Sequence, residues 1–108
     1  YGHENENGIN NNHNFSSFLF TNSLWYHIGV VRKTDSKEII LYINGNQIEK
    51  LKFAENPNCG SLSTLKIGDT NGTVSHDRFF DGSLDDLLIL KKALSDKEVF
   101  EVFTNNYL

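Results

Sequence analysis

An antiparallel all-β sandwich or barrel closed by one short helix is the fold class this sequence predicts, on three observations. Short β-rich runs, about six of them, recur along the chain with turn residues between them. Two of these runs are joined by Asn44-Gly45, a dipeptide that supplies the positive φ angles of a type I′ hairpin turn. The last periodic segment begins with Ser95 and Glu98, spaced as a capping box.

Taken in order, residues 1–14 are polar and Asn-rich, and read as a leader or loop, a weak edge strand or a tail. Residues 15–20 read as a short strand with Phe18 and Phe20 on one face. Thr21-Asn22-Ser23 is a turn cluster. Residues 24–32 form the clearest strand, rich in aromatic and β-branched side chains. Tyr26, Ile28 and Val30 line one side, and Trp25, Gly29 and Val31 the other, so cover on both faces is expected. Residues 33–37 are a charged turn, and 38–43 return as a β-rich run into Asn44-Gly45. Residues 47–53 follow as a half-exposed strand, and 54–61 as a loop. A short strand at 62–67 ends at Gly68, and 69–78 form a long polar loop. Phe79-Phe80 re-enters the core, Asp81-Gly82 turns, and 84–90 are the last strand. In the closing helix, 95–103, Val99, Val102 and Phe103 make an apolar stripe at helical spacing.

With 108 residues, the chain has length for one small domain. Its 38% apolar and 22% charged content is that of a globular protein rather than a disordered one. A net charge of −4 argues against nucleic acid as a partner, because phosphate binding needs a basic stripe. No apolar run reaches the length of a transmembrane helix. The chain opens at Tyr1 with no signal peptide, which reads as a mature, processed or excised piece. The single cysteine, Cys59, cannot pair within the chain. It is read either as a partly buried thiol or as half of a bridge to another segment or chain. Asn14-Phe15-Ser16 and Asn71-Gly72-Thr73 are sequons that offer Asn14 and Asn71 for glycosylation, though an Asn-rich chain produces such triplets by chance.

Three ordered pieces carry a family resemblance. They are Trp25-Tyr26-His27-Ile28, then Leu41-Tyr42-Ile43-Asn44-Gly45, then Ile67-Gly68 with Phe80-Asp81-Gly82-Ser83-Leu84-Asp85-Asp86-Leu87 and Ala93-Leu94-Ser95-Asp96-Lys97-Glu98-Val99. The series, spanning residues 24–103, resembles the laminin G-like branch of the concanavalin A-like lectin/glucanase superfamily. That resemblance implies a jelly-roll β-sandwich, and it assigns residues 15–108 to the C-terminal portion of such a domain. Family members carry more strands before the Trp-x-His strand, so the resemblance implies an incomplete sandwich whose N-terminal strands come from a further polypeptide or segment. It also implies that Trp25 anchors the core between the sheets.

Candidate sites follow from the same reading. In relatives an acidic residue at the position of Asp85 and Asp86 helps hold a structural Ca²⁺, so calcium is the cofactor the resemblance implies; the plainer alternative is that either carboxylate accepts backbone N–H bonds. Asp69, Asn71, His76, Asp77 and Arg78 give the 69–78 loop the polarity of a ligand site, against the alternative of a solvated connection. Relatives often carry a His where His27 stands, and here it reads as a buried, hydrogen-bonded core residue rather than a ligand. Tyr42, Phe53 and Tyr107 are the aromatic side chains considered for stacking on a sugar. Glucanases of the superfamily place the two carboxylates of glycoside hydrolysis on a Glu-x-Asp-x-x-Glu strand; no segment here matches it, nor Gly-x-Ser-x-Gly or His-Glu-x-x-His, so no active site is expected. The expected function is a non-catalytic recognition module for glycans or proteins, belonging to a larger secreted or cell-surface protein. Two alternatives stand beside it: a structural or assembly subunit with no small ligand, and an accessory domain of a hydrolase or toxin.

Overall fold

The computed structural model describes residues 2–4, 10–12, 14–54, 67–68 and 80–105. The chain divides into two units, one formed by Tyr1–Cys59 with Lys91–Leu108, the other by Gly60–Leu90. In the first unit β1 (Gly2–Glu4) pairs antiparallel with β2 (Asn10–Asn12). Three longer strands, β3 (Ile28–Lys33), β4 (Glu38–Ile43) and β5 (Asn46–Lys52), form an antiparallel sheet in the order β3-β4-β5. One helix, α1 (Asp96–Phe103), follows. Antiparallel strands with one short helix are the predicted fold class, here as part of a jelly-roll sandwich.

The sheet is organised around β4. Its Ile39-Ile40-Leu41-Tyr42-Ile43 run is buried throughout, with Ile39, Ile40 and Tyr42 at 0% exposure. Burying one such side chain fully is worth about 1.5–3 kcal/mol, so this strand supplies much of the stabilisation. Alternation sends the run to two faces. On one face, Ile40 and Tyr42 with Val31 of β3 pack against Leu94 and Val99, and Val102 covers the margin. Gly29 pairs with Tyr42 across the ladder, and a Cβ there would meet Val99 at 3.6 Å, an ordinary van der Waals contact that places the helix against this face. On the other face, Glu49 stands opposite Leu41, and its carboxylate accepts the N–H groups of Ser16 and Ser17 at 2.9 and 3.0 Å. Those bonds tie residues 14–20 to the sheet. They also hold the Glu49 carboxyl below its ordinary range, chiefly through the Ser17 N–H.

The hairpin between β4 and β5 turns as expected, with φ of +50° at Asn44 and +79° at Gly45. The turn is not a solvent-facing tip. A Cβ on Gly45 would stand 2.9 Å from Phe103 and 3.0 Å from Phe100, so the end of α1 lies directly over it. Helix α1 starts on the predicted capping box: Glu98 donates its N–H to the Ser95 hydroxyl, and the Glu98 carboxylate accepts the Ser95 N–H. Lys92 also bonds that carboxylate. A bond from the Tyr42 hydroxyl to Asp96 Oδ1, 2.5 Å long, joins the helix to the central strand. Burial, then this bond, raises the phenol well above its ordinary pKa.

Several expectations are corrected. Residues 15–20 are not a strand; their backbone turns to a side chain, Glu49, instead of a neighbouring ladder. The strand expected at 24–32 begins only at Ile28, and its cover is one-sided, with Ile28 and Val30 exposed. Trp25 is no core anchor: it is 70% exposed. In the second unit, 84–90 form no strand; Asp86 takes a positive φ of 52°, which an extended run excludes, and Leu84, Leu87 and Ile89 are exposed. Phe80 is exposed rather than core, although its N–H does close onto the Gly68 carbonyl at 2.8 Å. The strand expected at 62–67 and the loops at 54–61 and 69–78 lie wholly or mostly outside the described residues.

Two outcomes follow. Tyr42→Phe deletes one bond to a charged acceptor and should lower unfolding free energy by about 1.5–3 kcal/mol in urea melts. The Glu98 carboxyl is held at about 2, first by Lys92 and then by the Ser95 N–H, against an ordinary 4.5. A depressed carboxyl stabilises the fold above its unfolded value and loses that contribution as pH falls through its folded value. Thermal melting should therefore drop between pH 4.5 and about 2 more steeply in the native chain than in Glu98→Gln.

Candidate functional site

Residues 18–30, before and along β3, bring several aromatic and aliphatic side chains to the surface. Asn22 and Ser23 turn the chain, Ser23 with a φ of +64°, so that the segment after the turn folds back on the segment before it. The Thr21 N–H donates to the Tyr26 hydroxyl at 3.0 Å and closes this return. The ring of Tyr26 then meets those of Phe18 and Phe20 edge-to-face, at centroid separations of 5.7 and 5.2 Å, and Phe18 meets Phe20 at 4.9 Å. Such edge-to-face contacts satisfy the ring quadrupoles and fix the three rings in place. Phe20 of this braced trio, together with Leu19 (89%), Leu24, Trp25, Ile28 and Val30, turns apolar area to solvent. Scattered exposed hydrophobics are ordinary; here six of them fall within residues 19–30.

Two features extend it. β3 lies at the border of its sheet, with β4 on one side only, so among the described residues its other edge has no strand partner. At the end of β3, Arg32 lies over the Phe53 ring at 5.1 Å, placing a cation near the same face.

The residues expected from sequence fall elsewhere. Tyr42 and Phe53 are buried in the sheet and present no platform for a sugar; Tyr107 lies outside the described residues. Asp69, Asn71, His76, Asp77, Arg78 and Cys59 lie outside them too. Asn14 is exposed, two residues before the Ser16 whose N–H Glu49 holds. Asp85 and Asp86 are exposed in the second unit, and Asp85 Oδ1 accepts the N–H of Asp86 at 2.9 Å. Ca²⁺ takes six to eight oxygens. Two neighbouring carboxylates, one already turned to its own backbone, do not make that set. Among the described residues no group of three or more His, Cys, Asp or Glu gathers.

His27 is only half-buried, and its place is fixed through its backbone. Its N–H donates to Asn44 Oδ1 at 2.9 Å, and its carbonyl accepts the Asn44 N–H at 2.8 Å. The ring lies 5.6 Å from that of Phe103, and Nδ1 has no hydrogen-bond partner among the described residues. The expected side-chain bond at that nitrogen is therefore absent.

The aromatic ledge was not anticipated. Its signal in the sequence is the turn cluster between two aromatic runs, Phe15–Phe20 and Trp25-Tyr26, which a chain reversal must bring together.

Residues 3–100 match a laminin G-type family model described as the concanavalin A-like lectin/glucanases superfamily. A crystal structure of an S-layer domain-containing protein (residues 221–444) from Clostridium thermocellum is similar, with 26% identity and a TM-score of 0.67. The similarity covers 82% of this chain but only 43% of that one. No curated protein matches.

Because Trp25 is the only tryptophan, its fluorescence reports on this surface directly. The emission should be that of a solvated indole wherever the native chain is monomeric and without a ligand, and should then shift little on unfolding in urea. Trp25→Ser should change unfolding free energy by no more than about 0.5 kcal/mol, as expected for a surface position.

Proposed function

Since the chain belongs to the concanavalin A-like lectin/glucanase superfamily, we propose that it is a non-catalytic recognition module, one portion of a larger secreted or cell-surface protein. The observation that carries this reading is the braced aromatic ledge at residues 18–26 with its exposed Trp25. The similarity to an S-layer domain-containing protein supports the surface location, and the partial coverage of that structure supports membership of a larger domain. The ligand class is a protein in the first instance. Small-ligand sites are concave and carry a few precisely placed polar groups, whereas Leu19, Leu24, Ile28 and Val30 make the exposed side chains here broadly apolar. The open edge of β3 favours the assembly reading, in which a further polypeptide adds the N-terminal strands there. Calcium at Asp85 and Asp86 is a subsidiary proposal, and it needs oxygens from outside the described residues.

Native size and Trp25 emission, read with and without EDTA, test these readings together. Species larger than 12.3 kDa with blue-shifted emission, falling back to the monomer size in Trp25→Ser, would support contact through the ledge. Loss of folding on chelation would bring Asp85 and Asp86 forward. A monomer with solvated emission, indifferent to EDTA and blank against glycan and cell-surface protein arrays, would sink the proposal.

A further inference from the structure

The sequence contains three Asn-Gly dipeptides, Asn7-Gly8, Asn44-Gly45 and Asn71-Gly72. In such a pair the backbone nitrogen of Gly can attack the Asn side-chain carbonyl, because glycine has no Cβ to block the approach. Asn44-Gly45 is the one that lies within the described residues, and its surroundings bear directly on that attack.

Both ends of Asn44 are fastened to His27. Its Oδ1 accepts the His27 N–H at 2.9 Å, and its own N–H donates to the His27 carbonyl at 2.8 Å. Its carbonyl accepts a third bond, from Asn46 Nδ2 at 3.1 Å. Gly45 is buried under Phe100 and Phe103, which leave no room even for a methyl group. Ring closure needs the Asn44 side-chain carbon against the Gly45 nitrogen, with a base and water at hand. In the fold the carboxamide is pinned to the residue before β3, and the glycine is buried beside two phenyl rings.

We propose that Asn44 is a site of spontaneous deamidation that the native fold keeps closed and that local opening of the β4–β5 turn exposes. The Gly45 nitrogen bonds to Asn44 Cγ, the C–N bond to the side-chain nitrogen breaks, and the Gly45 proton leaves with it as ammonia. Water then adds to either carbonyl of the cyclic imide and breaks one of its two C–N bonds. The products are aspartate and isoaspartate; one water is consumed, one ammonia is released, and no electrons are transferred. Isoaspartate routes the main chain through an extra carbon, which the paired positive φ angles at 44 and 45 do not accommodate. Aspartate keeps the acceptor for His27 but sets a negative charge beside the C-terminal end of α1, where the helix dipole disfavours it. An opening long enough for the reaction is thereby made permanent.

The experiment compares the whole chain in mildly alkaline buffer with the same chain in urea sufficient to abolish its helix signal. Peptide Glu38–Lys50 is followed over time for the amide-to-acid mass change and for isoaspartate. The native chain should convert Asn44 at least about tenfold more slowly than the unfolded one, the protection expected of a site that reacts only when locally opened. Phe103→Ala, which uncovers Gly45, should bring the native rate toward that in urea. Equal native and unfolded rates, or an Asn44 that stays intact in urea, would overturn the proposal. An unchanged native rate in folded Phe103→Ala would remove the phenyl cover from it. If that variant does not fold, the wild-type comparison decides alone.

Discussion

A strand buried on both faces cannot be stable by itself; it needs two separate covers, and in the first unit everything described is arranged to provide them. β4 places Ile40 and Tyr42 on one side and Ile39, Leu41 and Ile43 on the other. Leu94 and the Val99 side of α1 close the first, and the segment tied to Glu49 is drawn toward the second. The two covers are fastened differently. The helix is held by packing plus the bond from Tyr42 to Asp96, which spans 54 positions of sequence. The 14–20 segment is held by backbone N–H groups on one exposed carboxylate, a contact that water contests more readily.

This difference explains what the sequence made legible. The hairpin and the helix were readable because their determinants are local: two residues set the turn's dihedrals, and a Ser and a Glu three apart set the first turn of α1. Residues 15–20 and 84–90 carry the same β-rich composition as real strands, but a strand also needs a neighbour to complete its ladder, and composition does not say whether one is supplied. At 16–17 a carboxylate took the backbone donors, and at 86 the chain turned left-handed.

Trp25 shows the same limit at the level of a single side chain. Its size and its Trp-x-His setting argued for a core position, and burial is indeed where most of a tryptophan's stabilising power lies. Yet the ordered strand begins three residues later, and the indole is left exposed to solvent. The candidate surface was thus hidden by a correct family resemblance: the residues that mark the family were recognised, but which of them face solvent depends on how much of the sandwich is in place. Tyr42 illustrates the converse, a side chain considered for ligand contact that belongs to the core.

The seating of Phe100 and Phe103 on the Asn44-Gly45 turn also bears on the order in which the molecule assembles. The β4–β5 hairpin closes over a two-residue loop, and β3 adds across a short turn, so both involve contacts close in sequence and little loop-closure entropy. α1 must travel back more than fifty residues to a platform that exists only when the turn has its native dihedrals. The helix is therefore expected to dock late and to leave early on unfolding, so that the kinetic lifetime of the fold is governed at this junction rather than within the sheet.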